Sequence, residues 1–72
     1  MKRDILVVDD EKNIINVMKS YLEESNYTVY TAFDGKQALE QFDENFPSLI
    51  ILDLMLPDMS GEEVCSIIRK NL

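Results

Sequence analysis

The sequence predicts an α/β fold, a small parallel sheet with helices on its faces, built in the order β-α-β-α-β-α. Three observations predict it. Two short apolar runs without alternation, Ile5-Leu6-Val7-Val8 and Leu49-Ile50-Ile51-Leu52, have the pattern of strands buried on both faces. Each of these runs ends in aspartate. Between and after them, apolar residues recur at three- and four-residue spacing, as on amphipathic helices. Strands that alternate with helices imply parallel pairing through right-handed crossovers.

The elements follow in order. The first strand, Ile5 to Val8, stops at Asp9-Asp10. From Glu11 a helical stripe of Ile14, Val17, Met18, Tyr21 and Leu22 is expected to face the core, and Glu23-Glu24-Ser25-Asn26 ends it. Ile15 falls off that stripe and is expected at the surface, where it could contact a partner. Tyr27-Thr28-Val29-Tyr30-Thr31 is β-branched and aromatic, hence a second strand. Asp34 is placed to cap a second helix, with Gln37 at the capping-box position. Its apolar face is Ala38, Leu39 and Phe42, extending to Phe46, and Pro47 forbids continuation. Leu49 to Leu52 is the third strand, again closed by a carboxylate, Asp53. A loop from Leu54 to Ser60 carries Pro57 and Asp58, and Ser60-Gly61-Glu62-Glu63 makes a capping box before Val64, Ile67 and Ile68. Tyr21, Tyr30 and Met18 read as packing residues, and Cys65 as a small hydrophobe without a basic neighbour.

Composition bounds the function. The 72 residues hold 7 Lys+Arg against 14 Asp+Glu, a formal charge of −7, with the basic residues scattered. That argues against nucleic-acid or anionic-membrane binding, which needs clustered cations. No segment approaches the roughly 20 apolar residues of a membrane span. One cysteine permits no intrachain disulfide and fits a reducing compartment, so a cytoplasmic location is expected. The chain has no His, which removes imidazole from both metal binding and base catalysis. A chain this short buries only about 60–65% of the surface it exposes when unfolded, so its core is small.

Two strand ends carry the chemistry. In an open parallel sheet, ligands gather outside the carboxyl ends of strands, where strand order reverses. If the first and third strands are neighbours, Asp9, Asp10 and Asp53 converge. At about 5 Å and an effective dielectric near 20, each charged pair costs about 3 kcal/mol. A divalent cation offsets this, and an all-oxygen site suits Mg²⁺. The competing reading is local: Asp9 or Asp10 caps the first helix, and strand-end aspartates begin turns.

The segments Ile5-Leu6-Val7-Val8-Asp9-Asp10-Glu11 and Leu49-Ile50-Ile51-Leu52-Asp53-Leu54-Met55-Leu56-Pro57-Asp58-Met59-Ser60-Gly61 closely resemble the receiver domain of bacterial two-component response regulators, and Asp34-Gly35-Lys36-Gln37-Ala38-Leu39 resembles its second-helix entry. The resemblance implies a flavodoxin-like (CheY-like) doubly wound sheet, here truncated to βαβαβα with strand order 2-1-3. It implies Asp53 as phosphoacceptor, with Asp9, Asp10, Asp53 and the Met55 backbone carbonyl as Mg²⁺ ligands. A histidine kinase or phosphotransfer protein is the implied partner, and the chain is a signalling domain rather than an enzyme. Pro57 and Gly61 match the loop that turns into the third helix.

Residues 1–72 are thus expected to form the first three βα units of such a domain. The fourth and fifth strands, with their Ser/Thr and Lys, have no counterpart in this sequence. The third strand then has an open edge, through which a homodimer or higher oligomer is expected. The rival reading is a self-associating half-domain with a structural or folding role only. A phosphatase with an aspartyl nucleophile fits less well, since that pattern wants a second Asp where Met55 stands.

Overall fold

The computed structural model describes residues 3–72; Met1 and Lys2, which belong to the expected 1–72 unit, lie outside the described residues. Three strands, β1 (Asp4–Val8), β2 (Thr28–Ala32) and β3 (Leu49–Leu52), alternate with three helices, α1 (Lys12–Glu24), α2 (Gly35–Asn45) and α3 (Gly61–Lys70). The sheet is wholly parallel in the order β2-β1-β3. This is the CheY-like βαβαβα arrangement with order 2-1-3 expected from the sequence.

Every residue of β1 is buried: Ile5 to Val8 as an apolar run in a strand covered on both faces, and Asp4 as acceptor of the Ser48 N–H and hydroxyl. Successive side chains point to opposite faces. Leu6 and Val8 pack with Ala32, Ala38, Phe42, Val64 and Ile68 under α2 and α3. Ile5 and Val7 pack with Ile15 and Val29 under α1. The structure keeps β3 less covered: Leu49 is exposed, and Ile50, Ile51 and Leu52 are half-buried. Tyr30 and Met18 do pack against these clusters, as their residue types suggested.

The face of α1 differs from the expected one. Ile15 is 2% exposed and Met18 and Leu22 pack beside it, whereas Val17 and Tyr21 are 70% and 72% exposed and Ile14 is also at the surface. The helix carries two overlapping apolar stripes, and docking on β1 and β2 selects the one through Ile15. A surface contact through Ile15 is therefore excluded, and Tyr21 is not a packing residue. Ile67 and Cys65 are likewise exposed on α3 rather than in the core.

Side-chain caps account for the starts of α2 and α3. The Asp34 side chain accepts the Gln37 N–H at 2.8 Å, and Ser60 Oγ accepts the Glu63 N–H at 3.1 Å. Gln37 Oε1 accepts from Phe33 N, one residue before the cap, so the reciprocal half of the box is displaced by one position. The second strand begins and ends one residue later than expected, which lets the fully buried Ala32 close it. Phe46 ends α2 in the left-handed region (φ 43°), its ring 5.2 Å from that of Phe42. It is exposed, so it extends the apolar face of α2 only through that ring pair.

Candidate functional site

The carboxyl ends of β1 and β3 lie side by side. Val8 pairs with Leu52 in register, the Asp53 N–H donates to the Val8 carbonyl at 3.0 Å, and the Asp9 N–H donates to the Ala32 carbonyl at 3.1 Å. The next side chains therefore emerge together at the sheet's edge. Asp9, Asp10 and Asp53 each offer a carboxylate oxygen, and these oxygens all lie within 4.8 Å of one another. Asp9 and Asp53 are half-buried and Asp10 is exposed.

Of the two local readings of the strand-end aspartates, the turn is realised alongside this convergence and the cap of the first helix is not. Asp9 Oδ1 accepts the Glu11 N–H at 3.0 Å, and Asp53 Oδ1 accepts the Met55 N–H at 3.1 Å. Each is the two-residue turn that aspartate favours. Neither bond uses the second carboxylate oxygen. α1 itself begins at Lys12 without a side-chain cap. Lys12 lies over the Phe33 ring, 5.9 Å from its centroid. A groove lined by Val7, Ile14, Met18 and Ile51 leads from α1 and β3 up to the three carboxylates.

The loop after Asp53 is held at both ends. The Gly61 N–H donates to the Leu54 carbonyl at 2.9 Å, and Met55 bridges to Ser60. A β-carbon on Gly61 would stand 2.4 Å from the Asp53 carbonyl oxygen and 2.9 Å from Leu54 Cα, so only glycine lets α3 start this close to the strand tip. The match of Gly61 to the family's loop thus has a steric cause. Met55 itself is exposed beside the loop, two residues past Asp53.

Asp58 is the residue that sequence reasoning missed. Its carboxylate accepts the N–H of Gly35 at 2.7 Å and of Lys36 at 2.9 Å, closing the first turn of α2 from a distant loop. These two backbone bonds, Gly35 first, hold the Asp58 carboxyl below the ordinary carboxylate range. Met59 fills the space against Gly35, where a β-carbon would meet its Cγ at 2.3 Å. No sequence spacing signals a cap supplied from more than twenty residues away.

Comparison with known proteins places this geometry. The family model described as the response regulator receiver domain matches residues 5–72. The chain is 47% identical over 70 residues to the alkaline phosphatase synthesis transcriptional regulatory protein PhoP of Bacillus subtilis (strain 168), covering 97% of this chain and 29% of that protein. Among solved structures, it is similar to the response regulator TrrA of Thermotoga maritima in complex with Mg²⁺-BeF (46% identity, TM-score 0.90, 99% of this chain and 61% of that one). A CheY-like receiver protein of Methanospirillum hungatei JF-1 superposes with a TM-score of 0.94 at 32% identity, over 99% of this chain and 57% of that one. The chain spans less than a third of the curated relative and somewhat over half of these solved chains. A receiver sheet, a shared aspartate tip and a family match across nearly the whole sequence agree: this chain belongs to the response regulator receiver domain family.

Proposed function

We propose that the chain accepts a phosphoryl group on Asp53 from a phosphohistidine of a histidine kinase or phosphotransfer protein, as the amino-terminal three βα units of a receiver domain. The observation that carries this is the meeting of Asp9, Asp10 and Asp53 within 4.8 Å at the tips of two adjacent strands. Family membership together with this convergence favours it over the structural half-domain reading.

The donor set fits Mg²⁺. Three carboxylates, each with an oxygen directed to one place and no soft ligand among them, suit a hard cation. Asp9, Asp10, Asp53 and the Met55 carbonyl are the proposed ligands. Bound Mg²⁺ supplies neutralisation of the charge that builds between nucleophile and phosphoryl oxygens.

The residues do the rest. A carboxylate nucleophile such as Asp53 needs no general base to activate it. Its oxygen forms the P–O bond as the P–N bond of the phosphohistidine breaks, leaving an acyl phosphate on Asp53 and a free imidazole on the donor. The Met55 N–H on Asp53 Oδ1 fixes the carboxylate's rotation and leaves the second oxygen to react.

Incubation with acetyl phosphate and Mg²⁺, followed by intact-mass measurement, tests the assignment. The parent chain is expected to gain one phosphoryl group and Asp53→Asn none, with Asp9→Asn and Asp10→Asn labelled at least tenfold more slowly. Equal labelling of the parent and Asp53→Asn overturns it.

A further inference from the structure

Asp58 joins two parts of the molecule that lie far apart along the chain. The loop after Asp53 folds back on itself. The Met55–Ser60 bridge and the bond from the Gly61 N–H to the Leu54 carbonyl close its base, and residues 56–59 form its far end. The Met55 N–H donates to Asp53 Oδ1, which fixes the base beside the strand tips. The far end is fixed from the opposite side. There Asp58 accepts the Gly35 and Lys36 N–H groups, Met59 sits against Gly35, and Leu56 packs on the core under α2 and α3.

We propose that Asp58 is a positioning residue for the metal site: by tying the loop to the first turn of α2, it holds the Met55 carbonyl in place. This role depends on the proposed ligand set of Asp9, Asp10, Asp53 and the Met55 carbonyl. A carboxylate ligand can turn about its own side-chain bonds, whereas a backbone carbonyl points only where the loop sends it. The Met55 side chain is 82% exposed, so its packing does not supply that control. The bond across the base uses the Leu54 carbonyl and leaves that of Met55 out. Asp58 holds the far end instead, its carboxylate bonded to two N–H groups of a helix start. Mg²⁺ demands near-ideal octahedral geometry, so a ligand that drifts costs affinity.

The coupling runs both ways. If the tie raises the affinity for Mg²⁺, then Mg²⁺ tightens the tie by the same factor. The start of α2 also supplies a matched control. Asp34 caps the same turn, accepting the Gln37 N–H at 2.8 Å, but it stands before α2 and not in the loop. Asp34→Ala and Asp58→Ala remove the same charge, and each deprives α2 of a carboxylate acceptor. Only Asp58→Ala also releases the loop.

The test is an NMR titration of the chain with MgCl₂, following the backbone amides of Asp10, Asp53 and Met55, with circular dichroism confirming that each variant is folded. Asp58→Ala is expected to bind Mg²⁺ about tenfold more weakly than the parent, and Asp34→Ala to stay within about twofold of it. Asp58→Asn keeps one oxygen for the Gly35 N–H and is expected to fall between, about threefold below the parent. It carries the comparison where Asp58→Ala fails to fold. In the parent, saturating Mg²⁺ slows hydrogen exchange at the Gly35 and Lys36 amides, and in Asp58→Asn that slowing shrinks. Parent-like affinity in either Asp58 variant overturns the role of Asp58 and leaves the metal site standing. Equal losses in Asp34→Ala and Asp58→Ala do the same. A parent whose strand-tip amides do not respond to Mg²⁺ overturns both the role and the site.

Discussion

Two groups of aspartates border the loop between β3 and α3, and they end in opposite situations. At the entrance to α2, Asp34 and Asp58 between them accept the N–H groups of Gly35, Lys36 and Gln37, so each carboxylate is matched by backbone donors. At the strand tips, three carboxylates share two local donors, the N–H groups of Glu11 and Met55. Residue type is the same in both places. The difference is the supply of donors: an aspartate over a helix start is a structural tie, while aspartates crowded at strand ends keep unused oxygens for a cation.

A glycine stands behind each group, and substituting the two sharpens the contrast most. Gly61→Ala drives a β-carbon into the Asp53 and Leu54 backbone, which has no room to give. We expect a loss of about 2–3 kcal/mol in urea unfolding. Gly35→Ala meets the Met59 side chain instead, which turns aside, and about half that loss is expected.

Next in size is a sign reversal at the strand tips. In EDTA, Asp10→Asn removes one member of a mutually repelling trio and is expected to raise stability by up to about 1 kcal/mol, discounted for the exposure of Asp10. With millimolar Mg²⁺ the parent gains and the variant does not, so the order of melting temperatures inverts. An Asp10→Asn chain that gains as much as the parent from Mg²⁺ breaks the distinction between the two groups.

A further effect is expected for Asp58→Ala, which lowers the unfolding midpoint at neutral pH because two N–H groups of α2 lose their acceptor. The Asp58 carboxyl titrates lower in the folded chain than in the unfolded one. Its contribution is therefore complete above the ordinary carboxyl pKa and is lost as pH falls through the lowered one. Parent and variant midpoints, apart at pH 7, are expected to converge below about pH 4.

What could be read in advance follows the range of the interactions. The strand tips were legible because an apolar run that ends in Asp is a local pattern, and sheet topology does the rest: β1 and β3 are neighbours, so their tips meet. The caps at Asp34 and Ser60 were legible for the same reason, with donor and acceptor three residues apart. The face of α1 was not. Its apolar residues at 14, 15, 17, 18, 21 and 22 satisfy two stripes equally, and only packing on β1 and β2 chooses Ile15. Asp58 was hidden for a related reason, since its partners are 22 and 23 residues away.

Phe46 holds a consequence of its own. A phenylalanine at φ 43° gives up about 1 kcal/mol that glycine would not, and its exposed ring returns part of it against Phe42. Glycine or asparagine there trades the ring for an easier backbone, with a near-zero balance. Meanwhile Ser48 is fastened to Asp4 through backbone and hydroxyl, so β3 is aligned without help from the turn. Substitution at position 46 is thus expected to leave the β3 register unchanged, since the Asp4–Ser48 tie and not the turn sets it.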